Sequence, residues 1–413
     1  MKKVLKNGVT VLTEKIDNVR SVSLGIWIVG GSVCDNISGM AHYMEHMAFK
    51  GTNTRSADEL AQEFDEMGGD INAFTAKEVT CYYGRMLDTH LNKGLTLLAD
   101  MVLNPAYLNE ETENERRVIL EEIAMYEDSP DDLSIGRLTE NVWRHSPLGK
   151  EILGTEQTVN SINPENLRES LKRCYSGSNI YIAACGHLDE ESFIARCEEL
   201  FSNAPIGEKA EIAKNTQYEK SIILTEKSIE QNHICIGFKG IDMYDSRKYH
   251  QTIFTSVLGG GMSSRLFQKI REKEGLAYSV SAQFSSYSDA GLYSIYTALN
   301  PKSQDKCLSI IRKELDDIKK NGITEKELNR AKEQMKSAVI IDLESTSSQM
   351  KFLARKEIFK TAGNTIDDII ELINSVTLSD IHNFANGILD YKNISISVVG
   401  TPDTEQFYKG YFE

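Results

Sequence analysis

Asn179-Ile180-Tyr181-Ile182-Ala183-Ala184-Cys185-Gly186 is answered 214 positions later by Asn393-Ile394-Ser395-Ile396-Ser397-Val398-Val399-Gly400. Each run is short, apolar and closed by glycine, which reads as a buried strand bounded by a turn. The match extends upstream without a gap, Ser161–Asn179 against Ser375–Asn393. Leu24-Gly25-Ile26 answers Ile236-Gly237-Phe238 at an offset of 212, and the charged stretch from Asn109 to Glu122 answers that from Thr324 to Ser337. Collinear matches at a nearly fixed offset mean a duplicated domain of roughly 200 residues.

Inside each half, strands and helices come in blocks rather than in strict alternation. The expected class is therefore α+β, a mixed and mainly antiparallel sheet packed with helices in each of two domains. Val9–Leu12 and Val22–Val29 read as strands, the second turning at Gly30-Gly31-Ser32, and 71–86 as one long or two paired strands. Ser56 with Glu59 three residues on is a capping box opening a helix to Met67. Helices are also expected over Leu91–Val102 and Asn109–Glu127, the latter closed by Ser129-Pro130 with Asp131-Asp132 in a solvated turn. The polar stretch 208–218 breaks the pattern and is the expected linker between domains 1–207 and 219–413.

The chain has 413 residues, 46 Lys plus Arg and 61 Asp plus Glu, for a net charge of −15. That length exceeds one usual core. The charge disfavours nucleic acid, which needs a basic surface. No apolar run is long enough for a membrane span. Met1–Gly8 begins basic, yet no apolar core follows, so neither a signal nor a transit peptide is expected. Seven scattered cysteines without a Cys-x-x-Cys pair read as reduced thiols, so the expected location is the cytoplasm.

The chemistry concentrates in Gly39-Met40-Ala41-His42-Tyr43-Met44-Glu45-His46-Met47-Ala48-Phe49-Lys50-Gly51-Thr52. On a helix, His42 and His46 lie one turn apart on one face, where two imidazoles can hold one zinc ion. Glu45, rotated by about 100° from His46, can reach a water there without being a ligand. The pattern is the zinc-protease His-Glu-x-x-His in reverse, His-x-x-Glu-His. Catalytic zinc needs a third ligand. Arg116-Arg117-Val118-Ile119-Leu120-Glu121-Glu122-Ile123, with Glu115 before it, is the best source, and spacing leaves Glu115, Glu121 and Glu122 open.

His42-x-x-Glu45-His46 together with Arg116-x-Val118-Ile119-Leu120-Glu121-Glu122-Ile123-x-Met125-Tyr126 resembles the inverzincin metallopeptidases. That group includes pitrilysin, insulin-degrading enzyme, the mitochondrial processing peptidase and shorter bacterial relatives. The resemblance spans essentially the whole chain. It implies zinc-dependent endopeptidase activity on peptides or unfolded segments enclosed by a clamshell of two halves. It makes His42, His46 and Glu122 the ligands of one Zn2+ per chain, Glu45 the base and Glu115 a supporting glutamate. Asn72, Ala73, Phe74 and Thr75 match an edge strand to which substrate pairs by main chain. The second half has Leu258-Gly259-Gly260-Gly261-Met262-Ser263-Ser264-Arg265-Leu266-Phe267 where the histidine helix is expected, and Ser337 for Glu122. It keeps Arg271 and Tyr278, which the resemblance assigns to a substrate carbonyl or carboxylate and to the developing oxyanion. Among the shorter relatives chains of this length pair, so the resemblance implies a homodimer. One rival is a non-catalytic subunit of a processing-peptidase-like assembly, which the complete motif disfavours; another is a partner-dependent enzyme, against which the presence of Arg271 and Tyr278 in this chain speaks.

Overall fold

The computed structural model describes residues 1–212, 215–361 and 365–412. The chain forms two compact units. One comprises Met1–Ala124, Lys150–Ala213 and Ile341–Thr361, the other Met125–Gly149, Lys214–Ile340 and Ala362–Glu413. The first holds strands β1 (Lys2–Val4), β2 (Thr10–Lys15), β3 (Ser21–Val29), β4 (Asp70–Thr75), β5 (Val79–Leu87) and β6 (Ile180–Gly186), in the order β1-β2-β6-β3-β5-β4. The second holds β7 (Ile222–Glu226), β8 (Asn232–Lys239), β9 (Ala277–Ser286), β10 (Gly291–Leu299) and β11 (Ser395–Gly400), in the order β7-β11-β8-β10-β9.

Without β1, the two orders correspond strand for strand. Each sheet has one parallel pair, β2 with β6 and β7 with β11, and its other pairings are antiparallel. The repeated strands 179–186 and 393–400 thus occupy the same place in each. The expected mixed, mainly antiparallel α+β architecture is present in both units, and residues 71–86 form the paired strands β4 and β5.

Strand β3 is buried on both faces because two sets of helices need it. Val22, Leu24, Ile26 and Ile28 enter one core with Leu95 and Leu98 of the helix Leu91–Leu103. Successive side chains alternate between the faces of a strand, so Ser23 and Gly25 point the other way. There they meet the helix Thr346–Phe359. Ser23 Oγ lies 2.8 Å from Thr346 Oγ1, and a Cβ on Gly25 would sit 2.6 Å from Met350 Sδ. In the second unit the helix Pro130–Val142 covers the sheet, and a Cβ on Gly237 would sit 2.8 Å from Leu138 Cδ2. The repeated glycine is where a covering helix approaches closely.

Each covering helix comes from the other part of the chain. Thr346–Phe359 lies beyond residue 219 yet packs in the first unit, and Pro130–Val142 precedes residue 207 yet packs in the second. The first unit thus takes 341–361 from the later part of the chain, and the second takes 125–149 from the earlier part. Asp131 and Asp132 do not form a separate turn but occupy the first turn of Pro130–Val142, where carboxylates suit the helix N-terminus.

A second correction concerns the counterpart of the histidine helix. The second unit has a helix there, Lys248–Gly259, packed against β9 and the helix Leu378–Ile388. The helix Met40–Met47 packs in the same way against β4 and Pro164–Cys174. Gly259–Gly261 end that helix rather than replace it. The duplicate has the helix without the His-x-x-Glu-His pattern. Among the described residues, no helix is long and apolar enough to cross a membrane.

Candidate metal centre

The helix Met40–Met47 begins after Gly39, whose φ of 91° is in the left-handed region that glycine tolerates. Asp35 Oδ1 accepts the Ala41 N–H at 3.0 Å, which satisfies a donor of the first turn. Met40, Tyr43, Met44 and Met47 form the i, i+3, i+4, i+7 stripe and are buried in the core. That packing leaves His42, Glu45 and His46 on the side facing the helix Asn109–Asp128.

The longer helix is held by several bonds. Tyr43 Oη donates to Thr112 O at 2.5 Å. Arg116 lies over the Tyr43 ring, 5.9 Å from its centroid, and donates to Ile162 O at 2.6 Å and to Val159 O. Thr112, Glu115, Ile119 and Glu122 recur at helical spacing, so one face turns to the histidines. Glu121 is exposed on another face. Of the three carboxylates that spacing left open, orientation brings Glu122 to the histidines' outer nitrogens and Glu115 to the inner one.

His42 Nε2 and His46 Nε2 are 3.2 Å apart, and Glu122 Oε2 lies 3.6 Å from the first and 3.5 Å from the second. Two donors each about 2.05 Å from zinc at a tetrahedral angle are about 3.3 Å apart. All three separations match that edge, so this donor set fits a four-coordinate zinc with one position left over. Among the described residues, these are the three groups that can share an ion in this way.

The surroundings tune the donors. His46 Nδ1 bonds Glu115 Oε1 at 2.8 Å, and Lys50 Nζ holds Glu115 Oε2 at 2.7 Å. A carboxylate behind an imidazole fixes its tautomer and turns the other nitrogen outward. Burial opposes charge on His46, but the Glu115 hydrogen bond and the charges of Glu122, Glu115 and Glu45 outweigh it and raise its pKa. Burial, then His46, hold His42 down to about 3, so that ring is neutral as a ligand must be. Burial works to raise the Glu115 carboxyl, but its bonds to His46 and Lys50 bring it below the ordinary range. Burial raises Glu45 although Thr75 Oγ1 donates to its Oε2.

Asn72, Ala73, Phe74 and Thr75 lie on β4, the outermost strand, paired on one side with β5. No strand occupies its other edge among the described residues. Phe74 packs edge-on against Trp27, centroids 5.6 Å apart. Arg271 and Tyr278 belong to the second unit, on the short π-type helix Phe267–Lys273 and on β9. Arg271 Nη1 donates to Tyr278 O at 3.1 Å, and its guanidinium lies 4.3 Å from the Tyr278 ring centroid. The Tyr278 side chain is exposed.

Three participants were missed from sequence. Lys50 follows His46 by four residues, a spacing that could have flagged it. Thr75 reads from sequence only as part of the edge strand, and nothing there signals its bond to Glu45. The role of Asp35 at the helix start had no sequence signal, since the residue lies in an irregular segment.

Comparison with known proteins bears on this geometry. The family model described as Insulinase (Peptidase family M16) matches residues 10–156, and that described as Peptidase M16 inactive domain matches 161–335. A Bacillus subtilis protein called uncharacterized zinc protease YmxG is 40% identical over 399 residues, covering 96% of this chain and 97% of its own. An uncharacterized zinc protease of Rickettsia felis is 37% identical, covering 98% of both chains. Among solved structures, a peptidase M16 inactive domain from Pseudomonas fluorescens superposes with a TM-score of 0.91 at 21% identity, covering 98% of both chains. A protease from Helicobacter pylori superposes with a TM-score of 0.89 at 20% identity, covering 97% of this chain and 99% of its own.

Proposed function

The chain belongs to the insulinase family, peptidase family M16, and from that premise we propose that it is a zinc-dependent endopeptidase acting on peptides or unfolded segments. The observation that carries the reading is the tetrahedral spacing of His42, His46 and Glu122 with Glu45 beside them. These three residues hold the metal, one ion per chain. When bound, zinc supplies a Lewis acid that activates water and polarises the scissile carbonyl.

Glu45 takes the proton from the attacking water and passes it to the leaving amine. Its half-buried carboxyl, raised above the ordinary range, suits a group that must carry a proton for part of the cycle. Glu115, neutralised by Lys50, holds His46 in the tautomer that presents Nε2. The free edge of β4 takes the peptide as an added strand, so recognition rests on main chain and is tolerant of sequence. Arg271 binds a carbonyl or carboxylate of that peptide, and Tyr278 donates to the oxyanion. The two halves enclose the substrate, the enzyme works as a homodimer, and its place is the cytoplasm.

The test is digestion of a peptide library by the purified protein, with and without a chelator. Cleavage that disappears with chelator and returns with zinc supports the reading. Cleavage indifferent to chelation contradicts it.

A further inference from the structure

The two sheets differ at one edge. In the first unit, β1 pairs antiparallel with β2, Lys2 opposite Leu12 and Val4 opposite Thr10, and Thr10–Thr13 are buried. Strand β7 is the counterpart of β2. Among the described residues nothing pairs with its outer edge. Ile222, Ile223, Leu224 and Thr225 are each only half-buried.

The register shows which backbone groups are open. Ser221 O accepts from Ile396 N, and Lys227 N donates to Gly400 O. In a parallel ladder the odd-numbered residues then bond β11, and Ile222, Leu224 and Glu226 turn their N–H and C=O outward. An apolar strand with a free edge is a template for another strand.

Beside that edge lies a cavity of about 770 Å³ that includes Ile222. Lys220, Arg312, Lys319, Lys392 and Lys409 line it, against two carboxylates, Asp390 and Glu405. Ile394 and Phe412 supply apolar wall, and Tyr391 is flanked by Arg312 and Lys319, 4.2 and 4.8 Å from its ring centroid. Lys409 is paired with Glu405 and Arg312 with Asp316, each at 2.9 Å, yet Lys220, Lys319 and Lys392 still outnumber Asp390, a local excess of positive charge in a chain of net charge −15. It complements an acidic ligand.

We propose that the β7 edge and this cavity form a docking site for an extended acidic segment of another polypeptide. The segment adds to β7 as β1 adds to β2, its backbone bonding Leu224, while its carboxylates meet Lys392 and Lys409. This site uses none of the residues assigned to the metal centre or to hydrolysis, so it stands or falls apart from the proposed activity.

The test is fluorescence anisotropy on the full chain. The probe is a labelled nine-residue peptide alternating Glu with Val, kept intact by chelator and checked by mass spectrometry. The comparison peptide has Lys in place of Glu. The acidic probe is expected to bind and the basic one not to. Lys392→Glu with Lys409→Glu should weaken binding by about tenfold or more. Leu224→Pro removes an outward N–H without touching the β11 ladder, and should weaken it similarly. Thermal unfolding should stay near wild type in the charge variant, which keeps the test valid if the proline variant misfolds. Equal binding of both peptides, or acidic binding unchanged in the charge variant, would overturn the proposal. So would Leu224→Pro converting a dimer to a monomer with peptide binding unchanged, because the edge would then serve a second copy.

Discussion

The helices Met40–Met47 and Lys248–Gly259 hold the same place in two copies of one fold, each between an outer strand and a helix of the repeated segment. One presents His42, Glu45 and His46. The other buries Ile253, Phe254, Val257 and Leu258. Across from them, Glu122 in the first copy answers Ser337 in the second. The scaffold does not depend on the metal donors, since the copy without them keeps sheet order, strand directions and covering helix. Chemistry was added to, or removed from, a frame that packing alone maintains.

Several experiments can break or sharpen that contrast. The largest effect is expected from Glu45→Gln, which should retain zinc yet lower peptide hydrolysis by about a hundredfold to ten-thousandfold. Wild-type turnover in that variant would remove Glu45 as the base. Tyr278→Phe should cost about a hundredfold in kcat with little change in KM, if its hydroxyl serves the oxyanion. A pure KM effect would move it to ground-state binding.

The frame itself can be probed at the paired glycines. Gly237→Ala drives a methyl into Leu138, and Gly25→Ala into Met350. Each should lower stability by about 1–3 kcal/mol in denaturant titrations. Gly25→Ala should cost at least as much, because its methyl also meets the buried Trp27 indole nitrogen at 2.9 Å, and a packed ring cannot swing away. Equal stability of both variants with wild type would mean that the covering helices do not pack as described.

A pH-dependent effect is expected at the start of the histidine helix. Burial pushes Asp35 up to about 7, only partly offset by the Ala41 and Gly39 N–H groups and by Arg173 and Lys150. The unfolded value is about 3.9, so between these values the folded state binds more protons than the unfolded one. This contribution to stability is full below about pH 4 and is lost as pH rises towards 7. Asp35→Asn should flatten that part of the stability–pH profile, and an unchanged slope would place the proton elsewhere.

Much of this was legible in the chain. A constant offset exposed the duplication because buried strands such as 179–186 and 393–400 need similar residues in similar order. The motif 42–46 was readable because ligand spacing follows helical periodicity. Glu122 could not be separated from Glu115 and Glu121 by spacing alone, since that choice depends on how Tyr43, Arg116 and Glu115 rotate one helix against another. The exchange of Pro130–Val142 and Thr346–Phe359 left only a trace, the glycines at 25 and 237. A glycine marks close approach without naming what approaches. The helix Lys248–Gly259 was hidden by its own glycines, which looked like a loop replacing a helix and are the end of one.

The most direct measurement is zinc content of the purified chain and two variants after dialysis. Wild type and Glu121→Ala should each carry one zinc per chain, while Glu122→Ser, which installs the residue of the second copy, should carry almost none. Full zinc in Glu122→Ser, or its loss in Glu121→Ala, would contradict the assignment of His42, His46 and Glu122 as the metal centre.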